Sequence, residues 1–271
     1  MDANAPLQLQ GFNHLTKTLS FNGYNVTCTP TKTSRTAWQE HIAERYSCER
    51  LTGLLSEVAA MIGASVLNVA SQTYTPQGAS VTMLIAEQSI ENSEAGDVSV
   101  ADSQEAGLAP EHVVMHLDKS HLTVHTYPES DSESGISNVR VDIDISSCGL
   151  TTPLKTLNYL LQRFESDIVL IDYRVRGFAR DVRGKKHFVD HNINSIEAFM
   201  APDILQRYQL ESINLCRESI FHTRMVRETF EVEDYLFALS ASHYSKADLR
   251  RFKRRVFEEM SEIFHAHQCG G

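Results

Sequence analysis

The sequence predicts an α+β fold built on antiparallel strands, and three observations lead there. Apolar residues recur at helical spacing in several separate segments, and short alternating segments stand in pairs divided by turn residues. No glycine-rich phosphate loop joins a strand to a helix. Paired strands close as hairpins, whereas a doubly wound sheet needs a crossover helix between parallel strands. The 271 residues, 42% of them hydrophobic, suffice for one large domain or two small ones with a real core.

In chain order, residues 34–46 and 49–62 have the spacing of helices, with Leu51, Leu54, Leu55, Val58 and Met61 on one face and Gly63 as the stop. Residues 65–74 and 80–86 read as strands joined by the Pro76-Gln77-Gly78 turn. Residues 89–111 are acidic, rich in Ser, Ala and Gly and without periodicity, which predicts a solvated loop inserted between strands. Strands follow at 113–117 and 122–127, with Asp118-Lys119-Ser120-His121 between them, then a polar stretch at 128–137 and an alternating strand at 139–145. Residues 153–165 predict a helix with Pro153 in its first turn, 167–178 a further strand, and 247–265 a charged amphipathic helix. No internal repeat survives residue-by-residue comparison.

Bulk properties narrow the function. No apolar run approaches the roughly 20 residues that span a bilayer, and Met1 to Gln10 lack the pattern of a signal peptide. Five dispersed cysteines (Cys28, Cys48, Cys148, Cys216 and Cys269) form no CxxC pair, so reduced thiols in a cytoplasmic protein are expected. The formal net charge of -10 disfavours a nucleic-acid partner and suits a cationic substrate.

One stretch carries chemistry: His116-Leu117-Asp118-Lys119-Ser120-His121-Leu122-Thr123-Val124-His125-Thr126-Tyr127-Pro128-Glu129. A serine stands at a polar break between two apolar segments with histidines nearby, so a serine nucleophile with a histidine base is one reading. The glycines that surround a hydrolase nucleophile are missing. Downstream, Ser146-Ser147-Cys148-Gly149 closes a strand and leads toward a helix, a junction at which a thiol can be tuned.

Together these residues resemble the processing and active site of bacterial S-adenosylmethionine decarboxylase proenzymes, of the enterobacterial type in which lysine precedes the reactive serine. Further blocks belong to the same resemblance: Gly11-Phe12-Asn13, Leu15-Thr16-Lys17, Pro76-Gln77-Gly78-Ala79-Ser80, Ile171-Asp172-Tyr173-Arg174-Val175-Arg176-Gly177-Phe178, His187-Phe188-Val189-Asp190-His191 and Ile193-Asn194-Ser195-Ile196. The resemblance implies an α/β sandwich in which two largely antiparallel sheets pack with helices on the outer faces. It implies a single catalytic domain, residues 1–271, that cleaves itself between Lys119 and Ser120 into chains 1–119 and 120–271. Ser120 would become a pyruvoyl group that forms a Schiff base with the substrate, with His125 the proton acceptor in processing and Cys148 the proton donor in catalysis. Strict strand alternation puts Ser120 and His125 on opposite faces, so a bend or bulge would have to bring them together. The resemblance also implies stacking of Phe12 on the substrate adenine, a magnesium dependence without an identifiable site, and an oligomer of four α and four β chains. The product would be the aminopropyl donor for spermidine.

Plainer readings stand beside these. Ser120 is also an ordinary turn serine, Cys148 a small buried hydrophobe and Phe12 a core residue. His112, His116, His121 and His125 have helical spacing but strand-like neighbours, which argues against a metal cluster. The basic run Arg250, Arg251, Lys253, Arg254 and Arg255 is followed by Glu258, Glu259 and Glu262, the pattern of a solvated face or subunit contact rather than a nucleic-acid site. A homologue adapted to arginine or ornithine would keep the same serine, histidine and cysteine. A non-catalytic regulatory paralogue would be expected to have lost one.

Overall fold

The computed structural model describes residues 15–87, 120–148, 152–181, 183–189 and 192–267. Its strands are β1 (Thr16–Cys28), β2 (Ala64–Thr73), β3 (Ala79–Glu87), β4 (His121–Ser130), β5 (Ile136–Ser147), β6 (Ile168–Arg176), the short β7 (Ala179–Arg180) and β8 (Lys186–His187), β9 (Tyr208–Leu215) and β10 (Ile220–Arg227). The helices are α1 (Lys32–Arg45), α2 (Cys48–Met61), α3 (Leu157–Phe164), the one-turn α4 (Pro202–Leu205) and α5 (Lys246–His265). Eight strands form one sheet in the order β2-β3-β4-β5-β1-β6-β10-β9, every neighbour antiparallel, and β7 and β8 form a separate ribbon. The α+β class, the antiparallel pairing and the outer helices are as predicted. Among the described residues the helices pack on the two faces of a single large sheet.

Local chemistry sets the elements. Thr31 and Ser34 close a reciprocal capping box at the start of α1, and the Ser47 hydroxyl accepts the Arg50 N–H at the start of α2. In α2, Leu51, Leu54, Leu55 and Val58 are buried, and Gly63 follows at φ +70° as the predicted stop. The predicted hairpin at 65–86 is β2–β3, closed by the Tyr74 N–H bond to the Gly78 carbonyl at 2.8 Å. Gly78, at φ +108°, passes so close to β4 that a Cβ there would stand 2.6 Å from the Thr126 carbonyl oxygen. The helix predicted at 153–165 begins as a 3₁₀ turn (Pro153–Thr156) capped by Thr152, and only then becomes α3.

The sheet's two faces differ. On one, Leu19, Phe21, Val81, Met83, Leu122, Val124, Val141, Ile143, Ile171 and Tyr173 pack under α1, α2 and α3. On the other, α5 covers one end with Phe252, Val256, Met260 and Phe264 against Val26 and Ile168, joined by Tyr235 and Leu236. On the outer side of α5, Arg251 pairs with Asp248 at 2.9 Å and Arg254 with Glu258 at 3.5 Å, while Lys253 reaches Glu231 at 3.8 Å and the half-buried Arg255 donates to the Ser134 carbonyl of the β4–β5 turn. The rest of that second face is polar and half-buried, with His121, Thr123 and His125 on β4 and Arg140, Asp142 and Asp144 on β5. Several elements emerge only in the structure: β1 near the middle of the sheet, the β9–β10 hairpin, and the short β7, β8 and α4. No helix among the described residues is long and apolar enough to cross a membrane.

Candidate active site

The β4–β5 hairpin builds the site. His121 pairs with Ser146 and Ser130 with Ser137, in unbroken register. The residue before β4, Ser120, therefore meets the residues that end β5. Ser120 is 6% exposed, its carbonyl accepts the Ile85 N–H at 3.0 Å, and its hydroxyl accepts the Cys148 N–H at 3.1 Å. Two of the expected catalytic residues, 28 positions apart, are thus in direct contact. The Cys148 sulfur lies 3.8 Å from the Thr16 hydroxyl, which brings β1 into the site.

His125 is elsewhere. It stands five residues along a regular strand, about 17 Å at the usual rise, and points to the opposite face. The bend or bulge needed to bring it to Ser120 within the chain is absent from β4, which pairs continuously with β5. Its Nδ1 is 3.1 Å from the Tyr74 hydroxyl, its ring stacks at 6.2 Å on Tyr127, and its register partner is Asp142. Burial pushes the Asp142 carboxyl above the ordinary range, although Arg140 at 3.0 Å pulls it down. Lys119 and Phe12 lie outside the described residues.

Sequence reading assigned no role to several residues that complete this region. Thr16 touches Cys148, Tyr74 orients His125, and Lys17 and Ser147, register partners on adjacent strands, are both fully buried. The signal was period-2 alternation through β1, which puts Lys17 in phase with the buried Leu19 and Phe21. Among the described residues, no group of three or more His, Cys, Asp or Glu side chains is arranged to hold a metal. A cavity of about 550 Å³ opens at the far end of β1, lined by Asn25, Arg45, Asp167, Arg227 and Tyr235, well away from Ser120.

A model of the S-adenosylmethionine decarboxylase family matches residues 40–177. The S-adenosylmethionine decarboxylase proenzyme of Alkalilimnicola ehrlichii is 51% identical, covering 95% of this chain and 93% of that one. The proenzyme of Halorhodospira halophila is 50% identical over 95% and 94% of the two chains, and that of Alcanivorax borkumensis 48% over 99% and 96%. The crystal structure of the adenosylmethionine decarboxylase from Aquifex aeolicus overlays 61% of this chain and 91% of that one at 14% identity, with a TM-score of 0.33, and adds nothing to the assignment.

Proposed function

The chain belongs to the S-adenosylmethionine decarboxylase family, and from that membership we propose a proenzyme that cuts itself between Lys119 and Ser120 and then decarboxylates S-adenosylmethionine. The observation that supports this most directly is the buried Ser120 hydroxyl held 3.1 Å from the Cys148 N–H at one end of the sheet. In processing, the Ser120 oxygen attacks the carbonyl carbon of residue 119, and the peptide C–N bond gives way to an ester. Loss of the Ser120 α-proton then expels that ester, and hydrolysis with release of ammonia leaves a pyruvoyl cap on chain 120–271. The residues fit such a group: its precursor serine is buried, stands immediately before β4 and has its hydroxyl held by a backbone N–H. When formed, the pyruvoyl supplies an electrophilic carbonyl that takes the substrate amine and draws off electrons as carbon dioxide leaves.

The chain's own residues then act around that position. Cys148 Sγ delivers a proton to the substrate carbon that lost its carboxylate. In the precursor the Cys148 N–H holds the Ser120 hydroxyl whether or not the sulfur is present, so positioning for processing and proton donation in turnover are separable. Phe12 is assigned the adenine. No donor set among the described residues fits magnesium, so no step is given to it. His125 is assigned the proton-accepting role in processing, and from the opposite face it can meet only the Ser120 of a neighbouring copy. That fits an oligomer of processed αβ units. The product is the aminopropyl donor consumed in making spermidine.

Intact mass of the purified protein tests the proposal. Two chains, 1–119 and 120–271, with one ammonia lost from the second are expected. Ser120→Ala should stay one full-length polypeptide, and splitting of that variant would refute the assignment. Carbon dioxide release assayed in parallel from S-adenosylmethionine, arginine and ornithine fixes the substrate, and release from either amino acid alone would overturn it.

A further inference from the structure

The two edges of the sheet are built differently. β9 forms one and β2 the other. β9 carries the exposed Glu211 in its middle, with Arg207 just before the strand and Arg217 and Glu218 just after it. Charges of that kind keep an edge strand from pairing with another chain. β2, Ala-Ser-Val-Leu-Asn-Val-Ala-Ser-Gln-Thr, has no charge and no proline. The nearest charged side chains in sequence are Glu57 and Glu87, so residues 58–86 hold none in a chain that is 22% charged.

β2 is also bare. Nine of its ten residues are exposed, among them Val66 at 39%, Leu67 at 52% and Val69 at 41%, whereas Val81, Met83 and Ile85 on the adjoining β3 are wholly buried. Val66 and Val69 are register partners of Ile85 and Met83, so both stand on the helix-covered face, where Met61 at the end of α2 is 40% exposed. A bulge between Val66 and Asn68 turns the first part of the strand, and from Asn68 onward the pairing with β3 is regular. That regular part presents N–H and C=O groups along its outer side, with no strand among the described residues to take them.

We propose that β2 is the surface through which two copies of this chain associate, residues 68–73 of one pairing antiparallel with the same residues of the other about a two-fold axis normal to the sheet. The absence of charge selects a second copy over another partner. In a self-paired edge each side chain meets the same short segment reversed, so any charge there would face its own like across the seam, and like charges so placed destabilise a pair. A foreign strand imposes no such limit and would gain from a charge that fixes partner and register. The two-fold arrangement uses both edges at once, so association stops at two, whereas an open uncharged edge would template aggregation. With the axis normal to the sheet, the helices of both copies stay on one side, and Met61, Val66 and Val69 of each copy come together across the seam. The polar face that carries His125 takes no part. The association is therefore independent of the processing reading, and it adds a second union to any made through that face.

The test compares the assembled mass of the purified protein, by sedimentation, with that of Val69→Lys and Val69→Glu. Each variant alone should have half the wild-type mass, because like charges then meet across the axis. Mixed in equal amounts, the two should regain the wild-type mass, and that recovery also shows that each chain is folded. Either variant alone keeping the wild-type mass, or a mixture that stays at half of it, overturns the proposal. Hydrogen exchange on the wild type needs no substitution. The amides of residues 68–73 should be protected in the assembled protein and exchange fast in the half-mass form obtained by dilution. Fast exchange while assembled overturns the proposal, and so does protection that survives dissociation, which would assign the cover to the chain itself.

Discussion

The placement of His125 makes a quantitative prediction about how many chains processing requires. A base must approach the proton it takes to about 3 Å, whereas five residues of β4 hold His125 about 17 Å from Ser120 on the other face. Rotamer changes cannot close that gap. If His125 serves in processing, it serves a second copy, and removing it should slow cleavage by about 10²- to 10⁴-fold, the usual worth of a positioned base. Two chains carrying tags of different size resolve this. His125→Ala retains the serine and lacks the histidine, and Ser120→Ala is the reverse. Expressed alone, both should remain full length. Expressed together, the His125→Ala chain should be cut and the Ser120→Ala chain should not. Two results would refute the reasoning: the His125→Ala chain dividing unaided at the wild-type rate, or the same chain staying intact in mixed oligomers that contain an intact His125.

Cys148→Ala should still divide, because the bond to Ser120 comes from the backbone N–H, while carbon dioxide release falls at least tenfold; normal turnover would remove the sulfur from the reaction. Gly78→Ala should destabilise the fold by at least about 1–3 kcal/mol in urea titrations, the cost of a non-glycine residue at such a φ, with the contact against Thr126 added. Burial raises the Asp167 carboxyl above its unfolded value despite donors from Tyr235 at 2.6 Å, Val26 at 2.8 Å and Arg227. The folded state then binds more protons than the unfolded one between those two values, so this group's stabilisation is fully present below the unfolded pKa and is lost as pH rises through the folded one. Asp167→Asn should flatten that slope in urea titrations at a series of pH values, and an unchanged slope would assign it to other groups. Burial pushes the Cys28 thiol up to about 12, so in the native protein a short iodoacetamide pulse should label exposed Cys216 and leave Cys28 unmodified by peptide mass mapping.

Amphipathic helices were legible because burial follows the 3.6-residue period. In α2 the pattern selects Leu51, Leu54, Leu55 and Val58, which are buried, and Met61, which at the helix end is 40% exposed; in α5, Phe252, Val256, Met260 and Phe264 are buried at the same spacing. The central strand was not. β1 has one polar face, carrying Thr16, Thr18, Ser20 and Asn22, and its buried phase contains Lys17 and Gly23, so neither its composition nor its alternation reads as the middle of a sheet. The β9–β10 hairpin escaped for a related reason. Its turn, Cys216-Arg217-Glu218-Ser219, has no Gly, Pro, Asn or Asp, and Ser219 takes the positive φ itself at 53°.

The site shows where residue pattern stops and register takes over. Ser120 and Cys148 were both identifiable from their neighbours, but their contact depends on the hairpin between them acting as a ruler. Because His121 pairs with Ser146, residue 120 necessarily reaches the end of β5. Moving either strand by one position would turn every side chain of that strand to the other face and part the serine from the Cys148 N–H. The connecting turn fixes the count. Asp131 accepts from the backbone of Glu133 and Ser134, and Gly135 at φ +71° lies where a Cβ would come 3.1 Å from Pro30 Cα, leaving little room for an extra residue there. The same ruler sets His125 out of reach, since a hairpin straight enough to align 120 with 148 cannot also fold position 125 back onto 120. Contact between serine and cysteine and separation of serine from histidine are therefore one geometric fact, and any processing scheme that uses all three within a single chain has to break the pairing that assembles the first two.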